Sequence, residues 1–255
     1  MSEFKPELPA AYELIEIENV SCIKSRAAEM AHYGAEEGVL LWAKNQQNGI
    51  GRLGSTWYSK KGDLHCSIVL RPDFSVDHYA ELLLVASISM GNALAAHVSP
   101  MTALGYTWPN KITIATHTIA SVWIEYDKRD PAWLTVSCAV NVFNTPDDMS
   151  LPAISVLEAE GSTNINSGIL LESFCRQFIT LINQWSEDGM TSIVNKWKIR
   201  AGEIGNKITL FTHRGSFSGN VNAVSDDGAL TITDEQNENL VFHLSEFIEE
   251  SEINQ

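Results

Sequence analysis

Basic residues are scarce in this chain: 17 lysines and arginines stand against 32 aspartates and glutamates, a formal net charge of −15. Such an imbalance repels phosphate backbones and anionic membrane surfaces at long range, so neither nucleic acid nor a membrane is an expected partner. Cysteine is thin as well. The four thiols, Cys22, Cys66, Cys138 and Cys175, form no CxxC pair and no Cys/His group at zinc-ligand spacing, which argues against a disulfide framework or structural zinc and suits a reducing cytoplasm. Also missing are an apolar run of about 18 residues able to span a bilayer, a basic and apolar leader in "MSEFKPELPAAYELIEIE", and any repeat. The acidity collects in the first twenty residues and in "SEFIEESEINQ", where solvated faces or frayed ends are expected.

What is present describes a folded protein. With 44% hydrophobic and 19% charged residues, 255 positions suffice for one large core and a second, smaller unit. Apolar residues at Ile23, Ala27, Met30 and Ala31 make a helical stripe closed by Gly34. "GVLLWAK" and "LHCSIVLRP" read as strands flanking a glycine-rich loop, and residues 77–97 as a longer helix. "YTW", "KITIA", "IASVWIEY" and "WLTVSCAVNVF" are rich in β-branched and aromatic residues, which predicts an antiparallel meander. A helix capped by Asn166 or Ser167 runs to Gly189, and a short one follows with Ile193, Val194 and Trp197. Beyond Gly202 four short strands separated by turns suggest a small barrel, so the expected division is 1–201 and 202–255.

Gly49-Ile50-Gly51-Arg52-Leu53-Gly54 matches GxGxxG, yet a dinucleotide fingerprint opens a helix and this one runs into "STWYSKKGDLHCSIVL", which has no helical stripe. Two readings remain open. In one, the glycines let backbone amides approach an anion, Arg52 adds charge and Trp57 folds over a flat ligand. In the other, the segment is a solvated hairpin connection whose tryptophan packs on the core.

The stretch "NQQNGIGRLGSTWYSKKGDLHCSIVLRP" resembles the biotin protein ligase signature QxxGRGRxGRxWxSPxGxLxxSxxLRP. "YTWPNKITIATHTIASVWIE" resembles the family's WPND…K…AGIL(V)E hairpin, "VSCAVNVFNTP" its GxGxNVN strand, and "GNKITLFTHRGSFSGNVNAVSDDGALTI" its terminal Src-homology-3-like barrel. The matches span nearly the whole chain in family order; the RRxxGGG loop of lipoate ligases is absent. The resemblance implies an α/β (α+β) fold, with a mixed, largely antiparallel sheet packed with helices, related to class II aminoacyl-tRNA synthetases and followed by the barrel. It implies ATP and biotin as ligands, with Mg as metal, and a biotin carrier protein as partner. A homodimer joined at sheet edges would fit the family. Position by position it carries ligand contacts onto Gln46, Gly49, Gly51, Arg52, Gly54, Trp57, Gly62, Leu64, Ser67, Asn110, Ser121 and Asn141, the last three with a changed residue at Ser121.

The departures fall on chemistry. Ile50 and Ser55 replace basic residues, Cys22-Ile23-Lys24 replaces a biotin-contacting Ser-Thr-Asn, and Ser137 and Ala139 replace strand glycines. Lys111 stands where the family has an acidic residue associated with metal, and Thr118 where it has the lysine that grips carboxylate and α-phosphate. Loss of a cation aimed at developing negative charge removes several kcal/mol of transition-state stabilisation. A two-residue turn at Ala115-Thr116 would put 113 opposite 118 and 111 opposite 120, leaving Lys111 on the face of Thr118 as a relocated phosphate ligand; an exposed strand lysine is the alternative. Three functions follow: biotin protein ligase, catalytically inactive binding or regulatory pseudoenzyme (or a ligase for another acyl ligand), and acyl transfer through Cys22 or Cys66. With about twenty residues before the first helix, a DNA-binding winged helix is not expected there.

Overall fold

The runs of Val, Ile, Leu and aromatics assemble into one mixed sheet in a computed structural model that describes residues 4–146, 152–161 and 164–251. In chain order come β1 (Glu13–Ile17), α1 (Ile23–His32), β2 (Val39–Ala43), the two-residue strands β3 (Gly49–Ile50) and β4 (Thr56–Trp57), and β5 (Leu64–Leu70). There follow α2 (Leu82–Ala95), β6 (Leu104–Thr107), β7 (Lys111–Ile114), β8 (His117–Tyr126), β9 (Leu134–Val140), α3 (Val156–Glu160), α4 (Ser167–Asp188) and α5 (Met190–Lys198). Strands β10 (Lys207–Thr212), β11 (Gly215–Val224), β12 (Leu230–Thr233) and β13 (Asn239–Phe242) form a separate four-stranded antiparallel sheet, and β14 (Glu249–Glu250) ends the described chain.

The large sheet has the order β1-β2-β5-β9-β8-β7-β6, with β14 alongside β8. Pairing is antiparallel except at β1–β2 and β8–β14, so the expected mixed, mainly antiparallel architecture and its β6-to-β9 meander are present. Strand alternation separates two faces. Cys66, Ile68, Val122, Ile124, Val136 and Cys138 join the main core with α2 and α4, whereas Leu41, Ala43 and Val69 pack under α1.

Helix α2 is apolar on all sides because it lies in the middle layer, sheet on one flank and α4 on the other. Its Gly91 lets the Tyr106 ring approach, since a Cβ there would stand 2.2 Å from the phenolic oxygen. Asn166 caps α4 by accepting the Ile169 N–H at 2.9 Å. The buried stripe of α4, including Leu170, Leu171, Phe174 and Phe178, contributes about 1.5 to 3 kcal/mol per side chain.

Two sequence expectations need correction, and one short helix is not expected from the sequence at all. The helix expected over 77–97 starts with a 3-10 segment, Val76–Glu81, before turning α-helical at Leu82. The short α3, capped by the Ser155 hydroxyl, lacks a stripe long enough to read. The acidic C-terminal stretch is no frayed end over residues 245–251: Phe247 is buried in the core and β14 pairs in parallel with β8. The outermost positions of the two acidic ends, 1–3 and 252–255, lie outside the described residues.

Candidate functional site

The glycine-rich loop is a hairpin without a helix. Gly49 pairs with Trp57 and Ile50 with Thr56, while Leu53 (φ 55°) and Gly54 (φ 72°) take the left-handed conformation that turns the chain. Gly49 admits no side chain, because a Cβ would stand 2.5 Å from the Trp57 carbonyl oxygen. The loop borders a cavity of about 470 Å³ between the large sheet and the C-terminal strands. Of the predicted site residues, Gly51, Arg52, Trp57, Asn110, Lys111, Thr118, Ser121 and Asn141 line it.

The β7–β8 turn has the two residues expected, Ala115 and Thr116, and Thr113 does face Thr118. Lys111, however, lies opposite Ser121 rather than residue 120, because an extra residue in β8 shifts the register between Ile112 and Thr113. The bulge does not remove Lys111 from the site. Lys111 and Thr118 both line the cavity, so Lys111 is half-buried there and is no exposed strand lysine.

Three charged groups set the cavity's electrostatics. Burial, and then the nearby Arg52, hold the Lys111 ammonium below the usual lysine range, with Glu203 pulling the other way. Among the described residues the ammonium forms no ion pair. Arg52 lies over the Phe247 ring, 4.3 Å from its centroid, and one of its nitrogens donates to the Phe211 carbonyl. Its Nη1 is buried without an acceptor. Glu203 is the one carboxylate among the described lining residues; burial pushes it up to about 7, although it accepts the Trp108 N–H at 2.9 Å.

Two neutral groups in the lining are also unpaired. The Trp57 ring meets Trp123 edge to face at 5.2 Å, but its indole N–H has no acceptor. Asn141 is 1% exposed and its Oδ1 has no donor.

The remaining predicted residues gather elsewhere and are satisfied by the protein. Gln46 accepts the Ile23 N–H at 2.7 Å and donates to Ser59 at 2.9 Å. Ser67 and Ser137 share a hydrogen bond of 2.8 Å. Lys24, at the start of α1, forms an ion pair with Glu249, which also accepts the Leu53 N–H at 3.2 Å. Leu64 belongs to the main core, Gly62 turns the chain (φ 101°) against Phe143, and Gly49 and Gly54 shape the loop. Cys22 and Cys66 are buried and neither lines this cavity; Cys22 borders a second depression together with Lys24 and Ser25.

Sequence reasoning missed Glu203, Trp123 and Glu249. Glu203 stands in "RAGEIGN", where only its charge beside two glycines marks it, and Glu249 is one of several acids in the tail. His65 was missed too: it alternates with Leu64 and Cys66 onto the α1 face, where neither ring nitrogen has a partner and burial lowers its pKa to about 4.

A mixed sheet, a glycine hairpin over a cationic cavity and a terminal β-unit define a ligase-type scaffold, and the sequence agrees: residues 8–199 match the profile of the Biotin/lipoate A/B protein ligase family, to which this chain belongs. Among curated relatives it is 25% identical over 220 residues to the bifunctional ligase/repressor BirA of Bacillus spizizenii, covering 84% of this chain and 67% of that protein. It is 26% identical over 206 residues to a biotin–acetyl-CoA-carboxylase ligase of Paracoccus denitrificans, covering 78% and 85%. In fold it is similar to a biotin protein ligase-like protein of unknown function from Silicibacter (TM-score 0.77, 21% identity, 96% of this chain and 99% of the other). It is also similar to the Aquifex aeolicus biotin protein ligase in complex with biotin and ATP (TM-score 0.74, 23% identity, 90% and 98%). Among the described residues no group of three His, Cys, Asp or Glu side chains is placed to hold a metal, and no helix is long and apolar enough to cross a membrane.

Proposed function

We propose that this chain is a ligase-like protein that binds ATP, or the acyl-adenylate made from it, in the cavity, with Lys111 and Arg52 on the phosphate and with an acid other than biotin. The observation that carries this reading is that two cationic residues line one cavity: Lys111, which forms no ion pair among the described residues, and Arg52, whose buried Nη1 has no acceptor. Unpaired buried charge is costly, and a phosphate oxygen is the acceptor that relieves both. Trp57 supplies a flat surface beside them. The solved relative that holds biotin and ATP supports the ligand class, and the relative named for acetyl-CoA carboxylase makes a carrier-protein lysine the proposed acceptor.

Biotin is disfavoured by the same geometry. Cys22, Ile23, Lys24 and Gln46 do not line the cavity, and Lys24 and Gln46 spend their polar atoms on Glu249, Ile23 and Ser59. Magnesium does not fit the described lining either: among the described residues two cations and a single carboxylate line the cavity, so no step is assigned to it.

The test is calorimetric titration of ATP and of biotin into the purified protein, with pyrophosphate exchange measured alongside. ATP is expected to bind, and to bind at least tenfold more weakly to Lys111→Met and Arg52→Met. Biotin-dependent exchange at a rate typical of biotin ligases would defeat the reading, as would ATP binding that ignores both variants. A binding protein without turnover is the second reading, favoured by the neutral Thr118 at the cavity wall. Gain of exchange in the double variant Thr118→Lys, Lys111→Asp would support it.

A further inference from the structure

Arg52 does not hold its own place in the cavity. It lies in the glycine hairpin between Gly51 and the left-handed pair Leu53 and Gly54, where none of residues 52–54 is buried, and a long arginine on such a segment would sample many rotamers. Its partners come from the other end of the chain. The guanidinium lies over the Phe247 ring, 4.3 Å from the centroid, and one of its nitrogens donates to the Phe211 carbonyl. The next residue, Leu53, donates its N–H to Glu249 at 3.2 Å. Phe211 and Phe247 both line the cavity beside Arg52.

Phe247 can fix the guanidinium because it is itself fixed. The residue is 2% exposed, and its ring meets Trp108 edge to face, with centroids 4.7 Å apart and planes at 74°. Trp108 is held at two points: its backbone N–H donates to Glu203 at 2.9 Å and its indole N–H to the Gly228 carbonyl at 2.9 Å. The turn that carries Phe247, Leu244–Phe247, is closed by the His243 N–H donating to the Glu246 carboxylate at 3.0 Å, and β14 then ties the chain to β8. The ring thus makes contacts of two kinds, an apolar one with Trp108 and an electrostatic one with Arg52. A planar cation is attracted to the electron-rich face of an aromatic ring, and a ring held by its neighbours restricts that cation to one pose.

We infer that Phe247 is a positioning residue of the phosphate site: it acts through Arg52, holding the guanidinium at the cavity wall, and so brings the C-terminal turn Leu244–Phe247 into nucleotide binding. Ordering the cation before the ligand arrives spares the cost of ordering it on binding. The inference rests on the reading of the cavity as an ATP site and names how that site is assembled.

The experiment is a double-mutant cycle on the full chain, with the Kd of ATP read by calorimetry. Phe247→Leu is expected to weaken ATP about fivefold in the unaltered background and to add nothing once Arg52→Met is present. Ring-fluorinated phenylalanines of graded fluorine content at 247 keep the shape and burial while draining electron density from the ring face, so Kd should rise with each fluorine added. That series carries the test if the leucine variant fails to fold. A ring that serves packing alone would weaken ATP equally with or without Arg52, and its fluorination would go unnoticed; either result overturns the inference. ATP affinity that ignores Arg52→Met, or no ATP binding at all, defeats the reading of the cavity and the inference with it. Affinity that falls with Arg52→Met yet ignores the fluorine series defeats the inference alone.

Discussion

Lys24 and Lys111 are both drawn out of bulk water near the same loop, yet they live in opposite circumstances. Lys24 is closed against Glu249, Gln46 is held between the Ile23 N–H and the Ser59 hydroxyl, and Ser67 and Ser137 bond each other. Lys111 shares its cavity with an unpaired arginine nitrogen, an unpaired indole and an unpaired amide oxygen. Each region contains positions that the family resemblance marks for ligand contact. The difference teaches that position in a motif does not decide use: in one region the protein supplies its own partners, and in the other polar atoms stay unpaired, which is what the proposed ligand site rests on.

The sharpest way to break this comparison is Lys24→Met. If Lys24 is structural, removing one member of a buried ion pair should cost about 3 to 5 kcal/mol of unfolding free energy, seen as a lower denaturation midpoint, with ATP affinity of the folded fraction unchanged. A variant of normal stability that loses ATP would invert the assignment of the two regions. Next comes Lys111→Met, which should weaken ATP by about 1.5 to 3 kcal/mol in calorimetry while leaving the melting temperature equal or higher, since an unpaired buried charge has been removed.

Glu203 sharpens the comparison through pH. Its carboxyl ionises near the ordinary value of 4.5 when unfolded and near about 7 when folded, so across that window the native state holds more protons and stability falls as pH rises. Glu203→Gln should remove about 2 kcal/mol of that decline, read from denaturation midpoints at pH 5 and pH 8. An effect of similar size and opposite sign belongs to His65, whose folded value of about 4 lies below the ordinary 6.5. The unfolded chain binds the proton first as pH falls from 6.5 toward 4, so stability is lost there, and His65→Leu should flatten that limb of the pH profile. An unaltered acid limb would mean the imidazole is solvated in solution.

Periodicity and β-branched composition made most of the fold legible: the four-strand meander, α1, α4 and the all-β terminus each carry a local signal in the sequence. The short α3 and the 3-10 entry to α2 carry none, because five or six residues cannot display a stripe. For the site, the motif spacing pointed to Arg52, Trp57, Asn110, Lys111 and Asn141 at one cavity. The same spacing swept in Leu64 and Gly62, because a signature mixes residues that hold a strand or turn with residues that face a ligand. The bulge at Ile119 was illegible, since a one-residue slip depends on pairing with strands elsewhere in the chain. Glu203 and Glu249 were illegible for a related reason: their partners, Trp108 and Lys24, are 95 and 225 residues away.

That last separation has a bearing on how the molecule can be handled. The contact between Lys24 and Glu249 ties the beginning of the chain to its far end, and the Leu53 amide hangs from the same carboxylate. Closing a loop of such length costs entropy, so this contact beside the glycine hairpin is expected to form late in folding. Deuterium uptake at 49–54 and at 249–251 should therefore rise together under mild destabilisation, which makes the amides of the rim a gauge of whether the whole polypeptide is intact.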